Sequence, residues 1–559
     1  MMPFKPLFLV VALAAFASSS HAQTAGTCVT GTAQAVLTTP HIKASLFNTG
    51  GLFFGGTTTR GDGYLIPRTD NLSTIFAASL WLGGKVDGDL RVAAARYGGY
   101  DFWPGPLEDA ARPPADCSAY DRIYAVSRAD IQRYYETGEL AEDLRDWPHQ
   151  LGAPVRDGDG DPTNYDLRAG DQPDLIGDMA AWWVMHDAGN DHNPGAPLGV
   201  EVRVQAFTYG SEGVALPPAL AVSTFYRYEI LNLGHQPIED LYLSLFADVD
   251  LGDAADDYIG TDTLRHMGFV YNATNEDAQY GTAPPAQGIQ ILQGPVGLAN
   301  GRDDDRDGEV DEPEERLGLT STVRIFPPGL HHVPGNPEEF RFYMLGLWSN
   351  GTPIYEWGNG FEQPGNPITR FMYPGDPVTE SLWSERNTDA NGTDSPLGDR
   401  RMMVSTGPFR LEPGTSETVL LALPYARGTD NLQSITELRQ VARTLQVASS
   451  SGVFERSPTV RPDEIRVPGT VSPPLTLSRV LPNPARGAAT VRLTLPAEAR
   501  THAVVLDALG RELATVTDGV LPVGETVLTL PQELAPGRYL LRVRVEPGGE
   551  ETLLFTVAR

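Results

Sequence analysis

The apolar segments of this chain are short, and each is soon broken by Gly, Pro or Asp. Clear cases are 73–84 (STIFAASLWLGG), 89–99 (DLRVAAARYGG), 201–210 (EVRVQAFTYG), 223–234 (STFYRYEILNLG), 239–250 (EDLYLSLFADVD), 340–348 (FRFYMLGLW) and 416–426 (SETVLLALPYA). Segments of this length and punctuation read as β-strands. With 58 Gly and 46 Pro in 559 residues, the chain is loop-rich. It stays below the ~25–30% Gly plus Pro that marks disorder, and it lacks the periods of a collagen or coiled coil. The expected fold is mainly β: a multi-domain β-sandwich body with few helices, and a further sandwich at the C-terminus.

Helix is expected in few places. Ser127 followed by Asp130 reads as an N-cap with an early acid, and the segment it opens stops at Gly138. A further turn or two fits 139–147. In 431–447, Leu432, Ile435, Leu438, Val441, Ala442 and Leu445 fall on one helical face. No fixed-period repeat is present, which disfavours propellers and solenoids.

Both ends carry signals. Lys5, the apolar run 7–17 and the small residues Ser20 and Ala22 form a secretory signal peptide over 1–22, with cleavage before Gln23. That run is too short for a membrane span of ~20 residues, and no other stretch approaches that length. The mature chain is therefore expected not to be an integral helical membrane protein. Residues 23–456 form a β-rich body of two or more subdomains, and 457–475 is a Pro-rich linker without periodicity. Beyond it, alternating runs at 488–495, 501–508, 511–518, 524–531, 537–545 and 551–558 are separated by turn residues. Strands at ~8–12-residue spacing argue a small β-sandwich.

Three motifs in 476–559 carry a resemblance. Leu481-Pro482-Asn483-Pro484, the stretch LDALGRE from Leu506 to Glu512, and Pro536-Gly537-Arg538-Tyr539 are similar in kind and order to the type A sorting domain of the type IX secretion system. The resemblance implies an immunoglobulin-like sandwich and export across the outer membrane of a bacterium of the Bacteroidetes or a relative. It also implies the type IX machinery as partner, and release or attachment to surface lipopolysaccharide after processing. The body resembles large uncharacterised exported proteins with this domain, a family that brings no activity with it.

Charge excludes nucleic acid as a partner. The formal net charge is −30, and phosphate binding needs clustered cations. Lysine occurs only at Lys5, Lys43 and Lys85; an acidic, lysine-poor surface fits a salty habitat, and Arg-favouring codon usage accounts for it equally well. Cys28 and Cys117 form no C-x-x-C motif; they are either one disulfide of an exported protein or two small buried residues.

The chemical signal is acidic. Asp303, Asp305 and Asp307 alternate, Gly308 permits a bend, and Glu309, Asp311 and Glu314 complete D-x-D-x-D-G-x₅-E. That is the template of a calcium loop, whose hard oxygens suit the six to eight ligands Ca²⁺ takes. Pro313 and Pro327-Pro328 argue against an exit helix, so structural Ca²⁺ in a stand-alone loop is expected. Asp157, Asp159 and Asp161 form a weaker candidate, because Pro162 interrupts the template. Asp248, Asp250, Asp253, Asp256 and Asp257 line a third site or simply cap strand ends. H-E-x-x-H, G-x-S-x-G and the P-loop are absent. The most enzyme-like patch runs from His186-Asp187 to His192, after Trp182-Trp183; as a plain reading it is a polar loop closing a buried aromatic strand. The expected function is a secreted or cell-surface protein with a structural, adhesive or binding role toward a glycan or protein. An extracellular hydrolase acting on polysaccharide or protein is the alternative.

Overall fold

The computed structural model describes residues 28–55, 63–97, 99–108, 111–189, 192, 195–210, 217–298, 315–325, 334–455 and most of 476–558. The signal peptide, the calcium loop 303–314 and the linker 457–475 expected from sequence lie outside the described residues. The chain divides into two compact units, Met1–Arg466 and Val467–Arg559.

Two large antiparallel sheets build the first unit. The nine-stranded sheet has the order Tyr124–Ser127, Met179–His186, Val200–Thr208, Ser223–Asn232, Ser416–Ala426, Ala286–Gln293, Met267–Asn272 and Asp257–Asp262, with Trp103–Pro104 beside Met179–His186. Its strands are apolar on both faces because both faces are covered. Trp183, Val202, Val204, Tyr228 and Leu421 join one core with Leu80, Leu82, Leu243, Leu245 and Met403 of the other sheet. The opposite face, with Trp182, Phe207, Phe225 and Leu420, packs against Leu144, Trp147, Leu445 and Phe454. The eleven-stranded sheet runs Ser321–Ile325, Arg401–Leu411, Ile238–Asp248, Ala77–Val86, Gly51–Leu52, Lys43–Phe47, Tyr64–Leu65 and Ser73–Ile75 along its main path.

Helices cover the outer faces. Asp430 accepts from the backbone N–H of Leu432 and Gln433 and opens the helix Asn431–Ser450. The helix lays Ile435, Leu438 and Ala442 on Met267, Phe269 and Tyr271. Ser127 and Asp130 form a reciprocal capping box at the helix Arg128–Thr137, which Gly138 ends at φ 77°. One segment departs from the strand expected of it: 340–348 lies largely in the helix Pro337–Met344. The helix signal stands just upstream, where Asn336 accepts from Glu339 N–H, Pro337 occupies the first turn and Glu338 and Glu339 favour its positive end. Its Phe340 then packs on Trp81, which stacks on Phe246 across the sheet.

A buried ion cluster fastens the long excursion between this helix and the strand Arg401–Leu411. Glu385 is shut from solvent and lies 3.1 Å from Arg324 Nη1 and 2.9 Å from Arg400 Nη2. Its other oxygen accepts the Ile259 N–H, so three segments meet at one carboxylate.

The second unit is a β-sandwich of a three-stranded sheet (Thr476–Leu477, Thr490–Leu495, Gly524–Thr529) and a four-stranded sheet (Glu512–Leu521, Ala499–Leu506, Gly537–Glu546, Gly549–Val557). Alternation does the work here. Val491, Leu493 and Leu495 face inward and meet Ala503, Val505, Leu541, Val543 and Phe555. Asn483 accepts the Thr556 N–H at 2.9 Å and ties the start of the unit to its last strand.

Candidate functional site

The acidic loop at Asp157 is closed by a two-residue ladder, Val155 opposite Pro173 and Arg156 opposite Gln172. That closure sets Asp157 beside Asp171. A carboxylate oxygen from each of Asp157, Asp159 and Asp171 falls within 4.8 Å of the others. The neck is too narrow for side chains: a Cβ on Gly158 would lie 2.4 Å from the Gly170 carbonyl carbon. Asp157 accepts from the N–H groups of Asp159 and Gly160 at 3.1 and 2.6 Å. Asp171 accepts from Gly158 and Asp166, and these donors hold its carboxyl below the usual range. Asp161 is not brought into this group. It turns instead to the N–H and hydroxyl of Thr163, which lower its pKa. The third carboxylate is thus Asp171, which the local spacing did not include because the ladder alone supplies it.

A second group lies at the end of Ile238–Asp248. Oxygens of Asp248, Asp250 and Asp399 come within 4.8 Å of one another. Burial pushes Asp248 up to about 6, and burial with the neighbouring carboxylates pushes Asp250 up to about 7. Arg401 already supplies a cation here, 3.2 Å from Asp248 and 2.8 Å from Asp399. The Tyr97 hydroxyl donates to Asp248 at 2.7 Å.

The enzyme-like patch folds as an enclosed polar knot. His186 ends its strand opposite Glu201 and Trp103, and the Trp103 ring lies over it. Its Nε2 is 3.5 Å from Cys117 Sγ, and its Nδ1 accepts the Ala188 N–H. Burial drives the imidazole pKa down to about 4, so the ring is neutral at pH 7. Asp187 takes the N–H groups of Leu198, Gly199 and Val200 and closes the loop between them. His192 lies 3.8 Å from Asp187 and 4.0 Å from Asp101, with little solvent access. Cys28 and Cys117 are joined in a disulfide, with Cα atoms 4.9 Å apart, that packs on Trp103. His186 Nδ1 and both Asp187 oxygens thus hold loop N–H groups, and His186 Nε2 faces the disulfide.

A more open groove of ≈ 520 Å³ lies between the helix Asn431–Ser450 and the segment around Leu317; His266, Gln293, Arg316, Gln446 and Glu455 line it. Among the described residues no helix is long and apolar enough to cross a membrane.

No family model matches the chain, and no curated protein does. Among solved structures it is similar to a polysaccharide lyase at 11% identity, covering 64% of this chain and 34% of the lyase, with a TM-score of 0.17. The adhesin domain of Epf from Streptococcus pyogenes is similar at 7% identity over 65% of this chain and 93% of its own, with a TM-score of 0.15. Latent PorU from Porphyromonas gingivalis is similar at 10% identity over 68% and 31%, with a TM-score of 0.13. At such scores these likenesses carry no argument about activity.

Proposed function

We propose that the protein is exported by the type IX secretion system and works outside the cell as a binding or adhesive protein whose acidic loops are braced by calcium. The observation that carries this reading is the terminal sandwich, a separate unit built from the segments that resemble a type A sorting domain. The Cys28–Cys117 disulfide supports passage through an oxidising compartment, since such bridges persist there and are rare in a reducing cytosol. A binding role is favoured because His186 and Asp187, on which a hydrolase would rest, have no solvent face to offer a substrate. The groove at His266 and Arg316, which mixes polar side chains with Ile291, Leu292 and Leu317, is where a glycan or peptide would be sought. Calcium would be held by Asp303, Asp305, Asp307, Glu309, Asp311 and Glu314, and by Asp157 and Asp159 with Asp171 in place of Asp161.

The test is deletion of 476–559 in a type IX-competent host. The truncated body should accumulate, folded, in the periplasm, and the exported full-length protein should begin at Gln23. Secretion of the truncated chain at the normal level would overturn the export reading.

A further inference from the structure

We infer a Ca²⁺ site made by Asp248, Asp250 and Asp399, in addition to the acidic loops at Asp157 and Asp303. The backbone brings the three together. Asp248 ends the strand Ile238–Asp248 opposite Arg401, which opens Arg401–Leu411. The Val249 N–H then donates to the Arg400 carbonyl at 3.2 Å, so the two segments stay paired one step past the strand ends. Alternate residues of paired segments share a face, which puts Asp248 and Asp250 on one side of the pairing beside Arg401 and Asp399 on the other. The outcome is a tight group: one oxygen from each of the three carboxylates lies within 4.8 Å of the other two.

Acids at a strand end are common without a metal. What points to a ligand is Asp248, which is only 4% exposed. Its Oδ2 accepts from the Tyr97 hydroxyl at 2.7 Å. Its Oδ1 is shut from solvent and, among the described residues, accepts no hydrogen bond. Arg401 does not fill that gap. Its Nε stands 3.2 Å from Oδ1, but Nε carries a single hydrogen, and that one goes to the Tyr97 oxygen at 2.7 Å. Its Nη2 is turned to Asp399 at 2.8 Å. Oδ1 therefore looks toward the guanidinium that Asp399 shares, with charge attraction but no donor. A buried acceptor left this way is costly, and native proteins seldom keep one unless a water or ion serves it. Charge argues in the same direction. One guanidinium among three carboxylates leaves an excess that a divalent cation balances, and burial, then the charges of Asp248 and Asp399, disfavour the ionised form of Asp250. Asp250 is half-buried and Asp399 exposed, so water reaches the open side and completes the six to eight oxygens that Ca²⁺ takes. An all-oxygen set, open on one side, is the chemistry of Ca²⁺ rather than of a thiophilic metal or of Mg²⁺, which asks for a stricter octahedron.

This site does not rest on the export reading or on the other two loops. The test is calcium titration calorimetry on the full mature chain, stripped with chelator, in an Asp159→Asn/Asp305→Asn background that disables those loops. That background should still bind Ca²⁺ and melt higher with it. Adding Asp250→Asn should weaken binding at least tenfold, while raising or preserving the melting temperature in chelator, because a repelling charge has gone. Should Asp250→Asn not fold, Asp399→Asn at the exposed position gives the same readout. A background that binds no Ca²⁺, or binding that keeps its affinity through both changes, would overturn the inference. Either result would give the gap at Asp248 Oδ1 to water.

Discussion

His186 Nε2 lies 3.5 Å from the sulfur of Cys117, so the strand Met179–His186 ends directly on the bridge to Cys28. The two cysteines are 89 residues apart, and closing a loop of that length removes roughly 4–5 kcal/mol of unfolded-chain entropy in the simplest treatment, with ~2–4 kcal/mol usually measured. Cys117→Ser should therefore lower the urea midpoint of the body by the equivalent of about 2–4 kcal/mol. Wild type and variant should coincide in reductant. Equal midpoints without reductant would remove the bridge from the account of stability.

The same imidazole gives a pH prediction. Its pKa is about 4 in the fold, against an ordinary 6.5, because burial disfavours the charged ring. The unfolded chain then binds more protons than the native one between those values. This contribution to stability is complete above pH 6.5 and is lost as pH falls toward 4, by about 3 kcal/mol in all. Unfolding free energies from pH 7.5 to 4.5 should show a shallower loss for His186→Gln than for wild type. Parallel curves would mean that the ring is protonated in place.

Glu385 offers a test of the buried ion cluster. Glu385→Gln keeps the shape but leaves Arg324 and Arg400 without their counter-charge. Breaking a buried pair in this way costs about 3–5 kcal/mol. The cluster holds three segments together, so the loss should appear as early proteolysis within 345–400 as well as in the denaturation midpoint. A variant as resistant as wild type would contradict the role given to the carboxylate.

Asp171 separates the sequence pattern from the folded loop. Calcium binding at the Asp157 loop should weaken about tenfold or more in Asp171→Asn and change little in Asp161→Asn, whose carboxylate is spent on Thr163. Titration in an Asp305→Asn background reads this directly. The opposite ranking would restore the linear Asp157–Asp159–Asp161 template.

Much of the architecture was legible because local signals agreed with the tertiary outcome. The 416–426 run became a strand of the same bounds, and Ser127, Gly138 and the apolar stripe from Leu432 to Leu445 marked their helices. Phe340 to Trp348 misled because apolar residues at helical spacing also look like a short buried strand, and the arbiter was the cap at Asn336. The sites were harder. Asp171 lies 14 residues from Asp157, and only a closed ladder brings the pair together. His186 and Asp187 carried the composition of an active site, but composition does not record that strand pairing seals them in.

The strand Ser416–Ala426 joins Ser223–Asn232 on one side to Ala286–Gln293 on the other. Among the described residues it is the bridge along that path, so four strands from the first half of the body and three from the middle wait for a partner encoded almost at the body's end. Pairings of such long sequence separation form late. A nascent body thus cannot close the nine-stranded sheet until residue 426 is available. The order of its strands makes completion of that sheet one of the last events in the making of the body.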